Sequence, residues 1–141
     1  MKKLIANYTY KLVEHKEFFP IFKEMRKDAF GDTFTLDLAK YTTQREATFF
    51  ETLNHLDIFR LFILIYKEDE IVGWHTGFQK GPSYYMMNTA VLEKHQLNGI
   101  YSKILQEIIK IVYEKGFVDI TSSHLASNNA VLIPKLKAGF V

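Results

Sequence analysis

Residues 94–103 read KHQLNGIYSK: a lone glycine among polar residues, set between an apolar run of strand length and a long segment with helical periodicity. The run before it, SYYMMNTAVL (83–92), carries the aromatic and β-branched residues that fit a pleated surface. The segment after it, IYSKILQEIIKIVYEKG (100–116), puts Ile104, Leu105, Ile108, Ile109, Ile111 and Val112 on one broad face. Lys103, Gln106, Glu107, Lys110 and Glu114 fill the other face, which predicts an amphipathic helix ended by Gly116. Gly99 therefore stands at a strand-to-helix junction. The first N–H groups of a helix lack intrahelical acceptors and sit at the positive end of its dipole, so such a junction stabilises a small anion. Glycine lets the chain turn sharply there and leaves the backbone open to approach. A plain loop glycine has the same local signature, so the junction alone leaves both readings open.

Periodicity gives the order of elements on either side. RLFILIYKEDEIVGWHTGFQK (60–80) is two β-rich runs around the charged KEDE, the pattern of a hairpin with a short polar turn. Upstream, NYTYKLVE (7–14) alternates as a strand, and KEFFPIFKEMRKDAF (16–30) spaces Phe18, Ile21, Phe22, Met25 and Ala29 for a helix stopped at Gly31. YTTQREATFFETLNHL (41–56) offers Thr42 or Thr43 as an N-cap with Glu46 at capping-box spacing, and Phe49, Phe50, Leu53 and Leu56 on one face. Downstream, FVDITSSHL (117–125) reads as a strand. SNNAVLIPKLKAGF (127–140) reads as a helix capped by Ser127 or Asn128, disturbed at Pro134 and ended by Gly139. The order is β, α, α, β, β, β, α, β, α, with no internal repeat, low-complexity stretch or linker. This predicts a single α/β domain over residues 1–141.

Composition narrows the function classes. At 141 residues the chain is long enough for one core, and 12 Phe, 8 Tyr and 1 Trp furnish a large one. The formal net charge is +2, with basic residues scattered among acidic ones, so nucleic-acid binding is not expected. There is no cysteine, which excludes disulfides and thiolate metal sites. The five histidines show no metal-ligand spacing. The start, MKKLIANYTYK, meets polar residues too early for a signal peptide. No stretch has the roughly 18 apolar residues of a membrane helix. A cytoplasmic location is the expectation.

Several places in the chain, taken in order, resemble the GNAT family, the GCN5-related N-acetyltransferases. AVLEKHQLNGIYSKILQEIIKIVYEKGF is similar to the family's acetyl-CoA motif, [Q/R]-x-x-G-x-[G/A] after a strand. Gln96, Leu97, Asn98, Gly99, Ile100 and Tyr101 occupy that frame. Gln96 and Gly99 match, whereas Tyr101 stands where the family prefers Gly or Ala, and Glu93 replaces its usual proline. A tyrosine there would either crowd the cofactor or stack on it. Further on, Asn128 is followed eleven residues later by Gly139 and Phe140, as in the family. The element order fits over nearly the whole chain.

The resemblance implies a mixed, mostly antiparallel sheet flanked by helices, the acyl-CoA N-acyltransferase fold. It also implies acetyl-CoA as cosubstrate, bound in a wedge where the strands YYMMNTAVL and FVDITSSHL splay apart. Backbone groups near Ala90 and Val91 would hold the pantetheine arm, the N–H groups from Leu97 to Ser102 the pyrophosphate, and Asn128 the arm further in. The acceptor would be an amine of a small molecule or a protein, attacking the thioester while a base or water chain removes its proton. Its pocket would be built by the two early helices and GDTFTLDLAKYTT (31–43), which carry no recognisable signature. The family's tyrosine acid falls at Lys135, which donates a proton only weakly near neutral pH unless burial lowers its pKa.

Among other titratable groups, His124 would face the wedge at the end of the fifth family strand, where its near-neutral pKa suits a base, although a structural histidine has the same look. Either His75 or Trp74 should point outward from its strand, and His95 and Glu93 should be solvated in the loop. The pair Tyr84 and Tyr85 reads as core and rim packing. The family continues past GF into further strands, whereas this chain ends at Val141, so the expected sheet lacks its last strands. Either the sequence is truncated, or the bare edge would be covered by a partner, as in a homo-oligomer. Two readings remain: an N-acetyltransferase, or a non-catalytic domain of the same fold that binds an acyl-CoA or a protein.

Overall fold

A computed structural model describes residues 1–30, 48, 52, 56–122 and 129–140. The chain opens with two strands, β1 (Lys2–Ile5) and β2 (Tyr8–Leu12), paired as an antiparallel hairpin. Sequence alternation predicts only the second. β1 is a four-residue edge strand with one buried side chain, Leu4, so it is too short and too charged to show a period. Helix α1 (His15–Phe30) follows and buries Phe18 and Phe22. Of the second expected helix only Thr48 and Thr52, both helical, and Leu56, an exposed bend residue rather than part of an apolar face, are described, with Thr52 Oγ1 donating to the Thr48 carbonyl at 2.9 Å.

Strands β3 (Arg60–Lys67) and β4 (Glu70–Lys80) form the expected hairpin, its turn helped by a left-handed Glu68 (φ 56°). β5 (Ser83–Val91), α2 (Ile100–Glu114), β6 (Asp119–Ser122) and α3 (Asn129–Lys137) complete the described elements. The six strands lie in chain order, antiparallel except for the parallel pair β5–β6, across which α2 is the crossover helix. The expected mixed, mostly antiparallel sheet flanked by helices is what forms.

Helices cover both faces of the sheet. Against α2 pack Leu61, Ile63 and Ile65 of β3 with Tyr84 and Met86 of β5; against α1 pack Phe62, Leu64, Trp74 and Ala90. This is why β3 reads as an unbroken apolar run, LFILI. It also corrects the expectation for Trp74 and His75. Both are fully buried, because their opposite faces are both covered.

The β4–β5 register sets up the site. Thr76 faces Asn88 while Gly77 faces Met86, so Met87 is an extra, bulged residue. The parallel pairing of β5 with β6 runs from Ser83–Asp119 to Met86–Ser122 and, among the described residues, ends there, one position before the bulge. A bulge sharpens the twist of its strand. Among the described residues β5 runs on to Val91 beyond its last pair with β6, so the expected fork would have its crotch at Met86 and Ser122. No helix among the described residues is long and apolar enough to cross a membrane.

Candidate functional site

At the open end of β5 the chain makes one 3-10 turn (Glu93–His95), then two left-handed residues, Leu97 (φ 68°) and Gly99 (φ 74°), before α2 begins. Alternating handedness turns successive N–H groups to the same side and makes an anion-binding concavity. The first bond of the helical ladder runs from the Lys103 N–H to the Gly99 carbonyl at 3.1 Å. The N–H groups of Ile100, Tyr101 and Ser102 therefore precede the ladder and have no intrahelical acceptor. A Cβ on Gly99 would meet only Ile5 Cδ1, at 3.8 Å, so the space over the loop is open.

Side chains hold this loop in place. Gln96 Nε2 donates to the Val91 carbonyl at 3.0 Å, and Asn98 Nδ2 donates to the His95 carbonyl at 3.1 Å. His95, expected to be solvated, is instead 8% exposed, with its Nδ1 3.0 Å from the Tyr8 hydroxyl. The reason is the β1–β2 hairpin, which brings Tyr8 against the loop and could not be foreseen once β1 was missed. Glu93 is exposed, as expected. Tyr101 neither lies free in the loop nor fills it: it packs against the main core, and burial pushes its hydroxyl up to about 12, so it stays protonated.

The edge of β5 facing the fork is main chain. Leu92 N–H bonds back to the Val72 carbonyl, and a Cβ on Gly73 would touch the Ala90 carbonyl, so Ala90 turns its backbone toward β4. By strand alternation the N–H and C=O of Thr89 and Val91 face the open side.

The floor of the fork is built from side chains that sequence periodicity does not single out. His75 is fully buried between Thr89 Oγ1 on Nδ1 and Tyr84 Oη on Nε2, both at 2.7 Å. Burial, then the nearby Lys135 charge, pushes its imidazole down to about 3, so it is neutral at ordinary pH. Tyr84 is core, as expected, and burial pushes its hydroxyl far up. Lys135, from α3, is 4% exposed and donates to Ser122 Oγ at the end of β6. Its Nζ also lies 6.0 Å from the centre of the Phe140 ring, and burial holds its pKa below the usual lysine range. The structure thus brings Ala90, Val91 and Gln96 to Ser102 together at one end of the fork. His124 and Asn128 lie outside the described residues, as do the residues of the expected acceptor segment 31–43. The sequence does not single out Ser122, because its contact with Lys135 crosses from strand to helix, nor the Tyr84–His75 bond, which crosses between strands. A cleft of about 270 Å³ lined by Phe59, Gln79, Lys115 and Phe117 sits at the opposite end of β5.

Comparison with known proteins adds three findings. A sequence model described as the acetyltransferase (GNAT) family matches residues 19–140. Among curated proteins, none matches the chain. Solved structures do share its fold. An aminoglycoside acetyltransferase from an uncultured soil metagenomic sample is 17% identical with TM-score 0.70, over 96% of this chain and 93% of its own. The PaiA N-acetyltransferase from Thermoplasma acidophilum, in complex with coenzyme A, is 14% identical with TM-score 0.69, over 96% and 91%. The ribosomal-protein-S18-alanine N-acetyltransferase from Escherichia coli is 14% identical with TM-score 0.69, over 95% and 77%.

Proposed function

The chain belongs to the GNAT acetyltransferase family, and from that premise we propose that it transfers an acetyl group from acetyl-CoA to an amine of a small molecule or a protein. The observation that carries this reading is the loop itself: two left-handed residues in front of α2 and unladdered N–H groups at an open, Cβ-free position. A pyrophosphate fits such a cradle by charge and by room. In the proposed complex the N–H groups from Leu97 to Ser102 hold the pyrophosphate. Gln96 keeps the loop on the end of β5, and the open edge around Ala90 and Val91 pairs with the pantetheine amides as an added strand would. Bound acetyl-CoA supplies an activated thioester, which this placement directs into the fork. Asn128 and His124 follow the crotch in sequence and are proposed as arm contact and base. Support for an amine acceptor comes from the similar structures, named for aminoglycosides and for the alanine of ribosomal protein S18. An acetyl-CoA donor also makes the cytoplasm the proposed location.

Calorimetric titration with coenzyme A tests the donor site. Binding is expected with a dissociation constant between about 1 μM and 1 mM, the span of ordinary KM values. No heat up to millimolar coenzyme A would overturn the assignment. Release of coenzyme A from acetyl-CoA that rises when a panel of aminoglycosides, polyamines and peptide N-termini is added then separates a transferase from a non-catalytic binder.

A further inference from the structure

We infer that Tyr8 and His95 are positioning residues of the donor site: their hydrogen bond ties the N-terminal hairpin to the loop ahead of α2 and holds that loop in the shape that receives a pyrophosphate. The inference rests on the acetyl-CoA reading of this site and adds to it the part of the chain that keeps the cradle formed before the cofactor arrives.

The loop needs support from outside itself. Leu97 (φ 68°) and Gly99 (φ 74°) are both left-handed, and Leu97 is fully exposed, so its side chain supplies no packing to offset the conformation. The bonds the loop makes with its own neighbours are short-range. The His95 N–H reaches the Leu92 carbonyl at 2.8 Å and the Gln96 N–H the Glu93 carbonyl at 3.2 Å, while the Gln96 and Asn98 side chains bond the Val91 and His95 carbonyls. Such bonds fix a local turn. They do not fix where that turn stands against the sheet.

The His95 side chain makes the long-range tie. It is 8% exposed, and its Nδ1 lies 3.0 Å from the hydroxyl of Tyr8, 87 residues away in the chain, with the two rings edge to face at 5.8 Å. Tyr8 is itself firmly held: it is buried, paired with Ile5 of β1 and Lys67 of β3, and Lys67 Nζ lies 5.7 Å from the centre of its ring. Ile5, from the same hairpin, also stands nearest to the open position over Gly99. The hairpin therefore backs the loop at its 3-10 turn and again at its glycine. Without the Tyr8 hydroxyl a buried ring nitrogen loses its partner, and the ring regains one by swinging toward water, which moves the turn that carries it.

The same strand provides an internal control. Tyr10 lies two residues on, on the same face of β2, and its hydroxyl donates to Glu107 Oε2, also at 3.0 Å. Glu107 stands about two turns into α2, behind the N–H groups of the cradle. The Tyr10 bond thus fastens the helix, and the Tyr8 bond fastens the loop. Cofactor affinity scales with the fraction of molecules whose loop is already in the binding shape, so only the second bond should control it.

The test is calorimetric titration of the full chain with coenzyme A, run beside urea unfolding. Tyr8→Phe and His95→Leu should each weaken binding at least about tenfold, the loop then being competent in less than about a tenth of the molecules. His95→Asn, whose carboxamide reaches the place of Nδ1, should restore affinity to within about threefold of wild type. Tyr10→Phe should lose stability comparable to Tyr8→Phe, yet keep its affinity within about twofold. A tyrosine with a merely structural role would lower stability and leave affinity alone. Wild-type affinity in Tyr8→Phe, or an equal loss in Tyr10→Phe, overturns the assignment while the donor site stands. Should Tyr8→Phe fail to fold, the two His95 variants decide, and equal affinities in His95→Leu and wild type overturn it. Absence of coenzyme A binding by the wild-type chain removes the donor site, and the pair's role with it.

Discussion

The loop at the end of β5 and the floor of the fork below it share one strand but are made of different material. The loop presents backbone: N–H groups ahead of α2, two left-handed residues, and an open strand edge. The floor presents side chains from four elements, His75, Tyr84 and Thr89, Ser122 and Lys135, each buried or half-buried. A backbone site tolerates almost any side chain that keeps the conformation, whereas a buried polar cluster depends on every member being satisfied. The two regions should therefore fail differently: the loop through affinity with stability intact, the floor through stability.

The largest effect should come from Gly77, under the floor. A Cβ there would lie 2.2 Å from the Tyr84 hydroxyl oxygen and 2.5 Å from the Tyr85 carbonyl oxygen. Tyr84 is fully buried and bonded to His75, so neither atom can step aside cheaply. Gly77→Ala is expected to cost about 3 kcal/mol by urea unfolding. A loss under about 1 kcal/mol would mean that the floor repacks freely, and the contrast with the loop would collapse.

Gly99→Glu probes the other side of the comparison. The new side chain has room, and its cost is the left-handed backbone, about 1 kcal/mol. Its carboxylate, however, would stand where an anion is to bind. Coenzyme A affinity should fall at least about 100-fold, equal to about 2.7 kcal/mol, with the unfolding transition still cooperative. Retained affinity would show that the loop does not hold the pyrophosphate.

How much of this was legible in the sequence follows the same division. Gly99, Gln96 and the α2 stripe could be read because a glycine at a junction and a 3.6-residue period are local signals. The hairpin order was readable from KEDE, and β3 from its apolar run. The floor was not readable from local signals, and Lys135 was marked only by its place in the family resemblance. Nothing local distinguishes Ser122 from Ser123, or makes Lys135 other than a helix lysine, until β6 and α3 are placed side by side. The double burial of Trp74 and His75 was hidden for a related reason: alternation tells which residues share a face, not whether both faces are covered. β1 and the burial of His95 went together, since the strand that was too short to see carries the hairpin that buries the histidine.

Proton linkage offers a finer test of the floor. His75 has its pKa depressed from 6.5 to about 3 in the folded chain, first by burial and then by the Lys135 charge. Below 6.5 the unfolded chain binds a proton there that the folded chain does not. Its stabilising contribution is thus complete above pH 6.5 and is lost as pH falls toward 3, with a limiting slope of about 1.4 kcal/mol per pH unit. His75→Gln should flatten that part of the profile relative to wild type. His15, also lowered by burial and then by Arg60, remains in both proteins and cancels in the difference. Identical profiles would mean that His75 is not held neutral in the folded floor.

The smallest expected effect sharpens the loop. Leu97 is left-handed at φ 68° and fully exposed at 103%, so its side chain gains nothing from packing while its backbone takes a conformation that costs a leucine about 1 kcal/mol. Asparagine tolerates that region, and with no buried contact to lose Leu97→Asn should raise stability by about 0.5 kcal/mol. If the loop binds through its N–H groups, coenzyme A affinity should stay within about twofold, because the substitution leaves the backbone shape alone. A clear fall in affinity at unchanged stability would instead assign the leucine side chain a direct contact with the nucleotide. The loop would then be, like the floor, a site of side chains after all.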